Sequence, residues 1–178
     1  MRFIFTRHTT TDWNAVKRLQ GQTDTELNEI GRREAAGLVL KLKGLGIVKI
    51  VSSDLKRAQQ TAEILAGALG VPLTVDARLR ECAFGSLEGF TREEVVAQHG
   101  PMLARYFSDY SSYDFRPFGG ECRDEVVRRH RHALDEHSNS SETLLVVGHS
   151  RGLHTMLMSL GDRIPLPRGE YRIVEWER

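Results

Sequence analysis

The sequence predicts an α/β domain, a doubly wound and mostly parallel sheet with helices on both faces. Short apolar runs read as buried strands, helical patterns lie between them, and the two alternate along the chain. The clearest runs are RFIFT at 2–6, GIVKIVSS at 46–53 and TLLVVG at 143–148.

The first helix is expected over 28–44, where Asn28 is a cap and Gly44 a stop. The second, over 54–70, puts Leu55, Ala58, Ala62, Leu65, Ala66 and Leu69 at helical spacing, and Gly70 with Pro72 ends it. PLTV at 72–75 is strand-like, and Thr91 with Glu94 forms a capping box that starts a helix at VVAQ. Further helices are expected over 122–137 and 151–160, and the tail YRIVEWER alternates like a strand. Between them, SDYSSYDFRPFGGE at 108–121 reads as a loop beside the site, and the aromatic stretch 106–118 as a lid. With no repeat, low-complexity tract or linker, residues 1–178 form one domain.

Composition excludes several classes of function. The chain has 25 Lys and Arg against 24 Asp and Glu, so it is not a nucleic-acid protein held by bulk charge, and any attraction for anions is local. Its two cysteines, Cys82 and Cys122, are too few for a disulfide framework and lack metal-ligand spacing, so a reduced, cytoplasmic setting and inert thiols are expected. No apolar run nears the length of a membrane span, and Arg7 and His8 interrupt the N-terminal one at once, so no membrane partner is expected. RRHRHALDEH at 128–137 carries His130, His132 and His137, but an HxH pair on a helix points its imidazoles apart. A solvated helix face is expected there and no metal.

Parallel strands with right-handed crossovers bring their carboxyl ends to one edge, where such sheets bind ligands. At that edge stand Arg7 and His8 after the first strand, Ser52, Ser53 and Arg57 in SSDLKR after the second, and His149 in VVGHSRG after another. Helix N-termini add backbone N–H donors suited to an anion. The set outlines a phosphate pocket. Arginine forks clamp phosphate oxygens, and a neutral histidine can attack phosphorus. His8 is the candidate nucleophile, with Arg7 and Arg57 as clamp, His149 donating to the phosphoryl oxygens and Asn14 adding a hydrogen bond. Glu81, in DARLRECAFGSLEG, is the candidate acid for the leaving oxygen and base for water, with Glu88 as its nearby competitor.

FTRHTTTDWN, LQGQTDTELNEIGRREA, SSDLKRAQQTAEIL, LRECAFGSLEG, FGGEC and VVGHSRG resemble, in order, the motif series of the histidine phosphatase superfamily, phosphoglycerate-mutase-like branch. The resemblance implies a phosphoglycerate-mutase-like fold, a phosphorylated His8, Glu81 as proton donor, and a pocket completed by Arg7, Arg57, His149 and Asn14. It also implies that Gln20, Gly21 and Ser150 lie near the substrate. Two departures stand out. Thr9 and Thr10 occupy positions where the family has Gly and Glu, and Arg151 follows Ser150 where small residues are usual. An extra guanidinium at Arg151 favours a substrate with a second anionic group.

The expected activity is metal-independent hydrolysis of a small phosphate monoester through a phosphohistidine on His8, with no cofactor. The alternatives are a phosphoglycerate mutase, for which the chain looks short, and a non-catalytic relative that binds phosphorylated ligands. No surface stripe announces an interface, so a homodimer stays open.

Overall fold

The computed structural model describes residues 1–138 and 142–176. Five strands, β1 (Arg2–Arg7), β2 (Ile47–Ser52), β3 (Leu73–Val75), β4 (Thr143–Gly148) and β5 (Tyr171–Glu175), form one sheet in the order β3-β2-β4-β1-β5. All neighbours are parallel except β5, which runs antiparallel to β1. This is the mostly parallel α/β sheet the alternation predicts. The last two residues of the YRIVEWER reading lie outside the described residues.

Side-chain alternation sends each strand's residues to opposite faces, and both faces are covered. Phe3, Phe5, Leu144 and Val146 pack with Leu134 of α6 (Arg123–His137) and with Leu153 and Met156 of α7 (Ser150–Ser159). Ile4, Ile50, Leu145 and Val147 pack with Leu38 and Leu42 of α2 (Glu29–Leu42) and with Ala58, Ala62 and Leu65 of α3 (Lys56–Leu69). Full burial of residues such as Phe3 and Phe5 contributes about 2–3 kcal/mol each.

The caps follow the sequence. Asn28 accepts the Gly31 N–H to start α2, and Gly70 closes α3 in the left-handed conformation. Thr91 and Glu94 form the capping box of α4 (Arg92–His99). Two short helices have no counterpart in the sequence reading: α1 (Asp12–Ala15), capped reciprocally by Thr11 and Asn14, and α5 (Met102–Ser108).

The histidine cluster on α6 corrects an expectation. His130 is fully buried, not solvated, because it continues the core stripe Val126, Ala133 and Leu134; its Nδ1 donates to the Val126 carbonyl. His137 Nε2 bonds Asp76 at 3.1 Å. Among the described residues no three His, Cys, Asp or Glu are grouped to hold a metal ion, and no helix is long and apolar enough to cross a membrane.

Candidate active site

A cavity of about 430 Å³ opens at the carboxyl edge of the sheet. β1 and β4 pair with Arg7 opposite Gly148, so the residues just beyond, His8 and His149, come side by side with ring centroids 5.2 Å apart. His8 lies on the cavity wall. Its Nδ1 donates to the Thr9 carbonyl at 2.7 Å, which leaves Nε2 with its lone pair on the cavity side. Burial, then Arg57 and Arg7, lower the His8 pKa well below the ordinary histidine value, so the ring is neutral.

His149 is fully buried behind His8 rather than on the wall. Its Nε2 pairs with the Ser53 hydroxyl at 2.8 Å, because Ser53 is fixed at the end of β2 by its N–H to the Val147 carbonyl. Burial, then Arg57, holds this ring neutral as well. Its Nδ1 has no hydrogen-bond partner among the described residues.

Both clamp arginines face the cavity. Arg57 is almost wholly buried, and its fork donates to the carbonyls of Gly21 (2.6 Å) and Thr23 (2.8 Å). It therefore shapes the 20–25 loop as well as charging the cavity floor. Burial lowers its pKa to about 10, a value at which it stays protonated at neutral pH. Arg7 donates to the Leu166 carbonyl at 3.1 Å, and burial lowers its pKa too. Asn14, Gln20, Gly21, Ser150 and Arg151 all line the same cavity. Asn14 Oδ1 is taken by the Thr11 N–H and hydroxyl, so the amide nitrogen is the end left for a ligand. Gly21 needs its bare Cα, since with φ at +50° a Cβ would sit 2.0 Å from Glu88 Oε1.

Glu81 lines the cavity and is the carboxylate met by the start of α7. Oε1 accepts the N–H groups of Cys82 (2.9 Å) and Gly152 (2.7 Å), and Oε2 that of Arg151 (3.1 Å). Its competitor Glu88 is spent elsewhere, accepting from Gln22, Thr23 and Phe84 N–H groups and the Thr23 hydroxyl, and it is not on the wall.

The departures at Thr9 and Thr10 also acquire partners. The Thr9 side chain turns to Thr61 on α3 (3.3 Å), and Thr10 donates from N–H and hydroxyl to Glu34 on α2. Neither lines the cavity. Cys82 is buried, and burial raises its thiol pKa, so it is no thiolate at neutral pH.

The rim was mostly missed by sequence reasoning. Exposed Lys17, Arg18, Arg92 and Arg168 line the cavity together with the buried Arg151, and only Arg151 and the aromatic stretch carried a signal. Phe107 and Tyr110 line the cavity, while Phe107, Tyr113 and Phe115 pack in the core. Arg151 is buried among these rings, its guanidinium 4.4 Å from the Tyr110 centroid and 4.6 Å from that of Tyr113. Its Nη2 donates to the Phe107 carbonyl, and its Nη1 is buried without a hydrogen-bond partner among the described residues.

Two neutral histidines, the arginines and Glu81 thus stand together at the carboxyl edge of a doubly wound α/β sheet. The chain belongs to the histidine phosphatase superfamily (branch 1), whose sequence model matches residues 3–175. It is 36% identical over 163 residues to a Yersinia pestis protein named "Probable phosphoglycerate mutase GpmB", covering 90% of this chain and 74% of that one. Among solved structures, the mycobacterial glucosyl-3-phosphoglycerate phosphatase in complex with VO3 superposes with a TM-score of 0.86 at 30% identity, covering 98% of this chain and 92% of that one. YhfR of Bacillus stearothermophilus gives a TM-score of 0.84 at 30% identity over 99% and 91%.

Proposed function

We propose that the protein is a metal-independent phosphatase that hydrolyses a small phosphate monoester through a phosphohistidine on His8. The observation that carries this reading is the His8 ring: neutral, fixed by Nδ1 on the Thr9 carbonyl, with Nε2 turned to a cavity floored by Arg7 and Arg57. In the first step Nε2 attacks phosphorus and the P–O bond to the leaving group breaks. Glu81, in its acid form, gives that oxygen a proton. In the second step water attacks phosphorus, Glu81 takes its proton, and the N–P bond breaks to release inorganic phosphate and neutral His8. Arg7 and Arg57 balance charge on the equatorial oxygens, and His149 with Ser53 backs the nucleophile.

Charge supports a substrate class. Seven Arg or Lys side chains line the cavity against two carboxylates, Glu81 and Glu93. Among the described residues only Arg18 of those seven has a carboxylate within 4.0 Å, Glu94 at 3.5 Å. A monoester dianion uses the floor arginines and leaves the rim uncompensated, so the substrate carries a second anionic group, with Arg151 and Arg168 nearest in kind to receive it.

Likeness to a protein named a mutase favours a second reading, transfer between two oxygens of a phosphoglycerate. Hydrolysis is preferred because a solved structure named as a phosphatase superposes on this chain with a TM-score of 0.86. The deciding experiment measures phosphate release from p-nitrophenyl phosphate, 3-phosphoglycerate and glycerol 3-phosphate in excess EDTA, for the wild type and His8→Ala. Release that survives EDTA and vanishes with His8 supports the phosphatase. Isomerisation of 3-phosphoglycerate with a bisphosphorylated primer, without release, replaces it by the mutase.

A further inference from the structure

Glu81 stands on a loop between the short 3₁₀ turns Ala77–Leu79 and Gly85–Leu87, and a proton donor on a loop needs rigid support. Arg129 of α6 supplies it. Its Nη1 donates to the carbonyls of Arg78 (2.7 Å) and Arg80 (2.6 Å), and its Nη2 to that of Glu81 itself (2.9 Å). The remaining donors grip Glu121, Nε to Oε1 at 2.8 Å and Nη2 to Oε2 at 2.9 Å. All five N–H groups of the fork are thus in use. Glu121 Oε2 in turn accepts the Ala83 N–H at 2.9 Å, so the pair holds the chain on both sides of the acid.

The same helix supports Glu81 from a second direction. His130 packs against Gly152, where a Cβ would stand 2.8 Å from its Nε2, and the Gly152 N–H is a donor to Glu81 Oε1. Neither Arg129 nor Glu121 lines the cavity, so neither touches substrate. A fork with five aimed donors is more than an ion pair requires; what it fixes is the backbone of residues 78–83, and with it the direction of the Glu81 carboxyl.

We propose that Arg129 and Glu121 are a positioning pair for the proton donor, an inference that rests on the role of Glu81 under the proposed function. A lysine at 129 keeps the charge but has three donors on one nitrogen and cannot hold three carbonyls and a carboxylate in this fork.

The test uses leaving groups of different basicity. An alkoxide must be protonated as it leaves, whereas p-nitrophenolate leaves with little help. In Arg129→Lys and Glu121→Gln, kcat/KM on glycerol 3-phosphate is expected to fall about tenfold or more and kcat/KM on p-nitrophenyl phosphate less than about threefold, kcat/KM covering departure of the leaving group and not the hydrolysis step that both esters share. Arg129→Ala should be worse than Arg129→Lys in the same direction. A structural role alone would lower both substrates together, and equal losses overturn the proposal. Glu81→Gln is the control for the underlying reading. If it lacks the skew toward alkyl phosphates, Glu81 is not the donor and the pair has nothing to position; if it has the skew and the pair's variants do not, the positioning inference alone fails. Should Arg129→Ala not fold, Glu121→Gln, which keeps shape and volume, decides. If the wild type cleaves neither ester, the phosphatase reading falls, and the pair is judged by whether Arg129→Lys moves the ¹³C carboxyl resonance of Glu81, assigned by its loss in Glu81→Gln; an unmoved resonance overturns it.

Discussion

The floor of the cavity and its rim are built by different means. On the floor, His8 and His149 meet because two strands pair in fixed register, and Arg57 is anchored to two loop carbonyls. On the rim, Arg92, Tyr110 and Arg168 come from three separate segments, and Arg168 is exposed with no hydrogen bond among the described residues. Strand register cannot drift by fractions of a residue, so the chemistry is held by the sheet. The mouth is assembled from exposed side chains of separate segments, Arg92 at the start of α4 and Arg168 in an irregular stretch, and these can change without disturbing that chemistry.

This division has consequences that can be measured. The largest effect belongs to the floor: His8→Ala is expected to lower kcat by about 10⁴-fold or more, with the fold intact by circular dichroism, and residual turnover within tenfold of wild type would reassign the nucleophile. Next comes acid sensitivity. His8, His149 and His130 are buried and neutral, and burial lowers the His130 pKa to about 3. Once unfolded, each takes up a proton below its ordinary value of 6.5, which the folded chain resists, so stability is full above that pH and falls as the pH drops. The limiting slope is about 1.4 kcal/mol per pH unit for each histidine. Urea midpoints at pH 7, 6 and 5 should fall accordingly, His130→Gln should flatten the decline, and a flat wild-type profile would mean these rings are not held neutral.

Rim effects are smaller and selective. Arg168→Ala should cut the kcat/KM ratio of 3-phosphoglycerate to glycerol 3-phosphate about five- to tenfold, these two esters differing by a carboxylate in place of a hydroxymethyl group. An unchanged ratio would remove Arg168 from the second-anion site. Smallest of all is Thr9→Gly, which restores the usual family residue. Because the Thr9 side chain already faces Thr61, kcat/KM is expected to stay within about threefold, and a large gain would show that its methyl or hydroxyl obstructs the phosphate after all.

The same division explains how much was legible in the sequence. RFIFT, TLLVVG and SSDLKR announce strands whose ends fall on one edge, so the sequence alone brings Arg7, His8, Arg57 and His149 together there. His130 was misread although Val126, Ala133 and Leu134 share its stripe, because the local HxH pattern drew attention from the 3.6-residue period. Helix α5 carries no side-chain N-cap and follows Gly100-Pro101 closely, so it offered no start signal beyond the proline. Arg168 sits in an irregular segment where nothing in its neighbours predicts its place. The seat of His149, behind His8 and on Ser53, depends on the packing of two strand ends and not on either motif.

The strand order has a consequence for biosynthesis. β1 and β2 never touch each other as neighbours in the sheet; β4, formed by residues 143–148, lies between them. A nascent chain that has emerged only as far as α6 holds two apolar strands with their central partner missing, and His8 without His149. Its sheet closes late and over long sequence separation, which makes folding slow relative to local structure and leaves apolar strand edges open until then. Truncation before residue 143 therefore yields no smaller working unit, only an unpaired sheet.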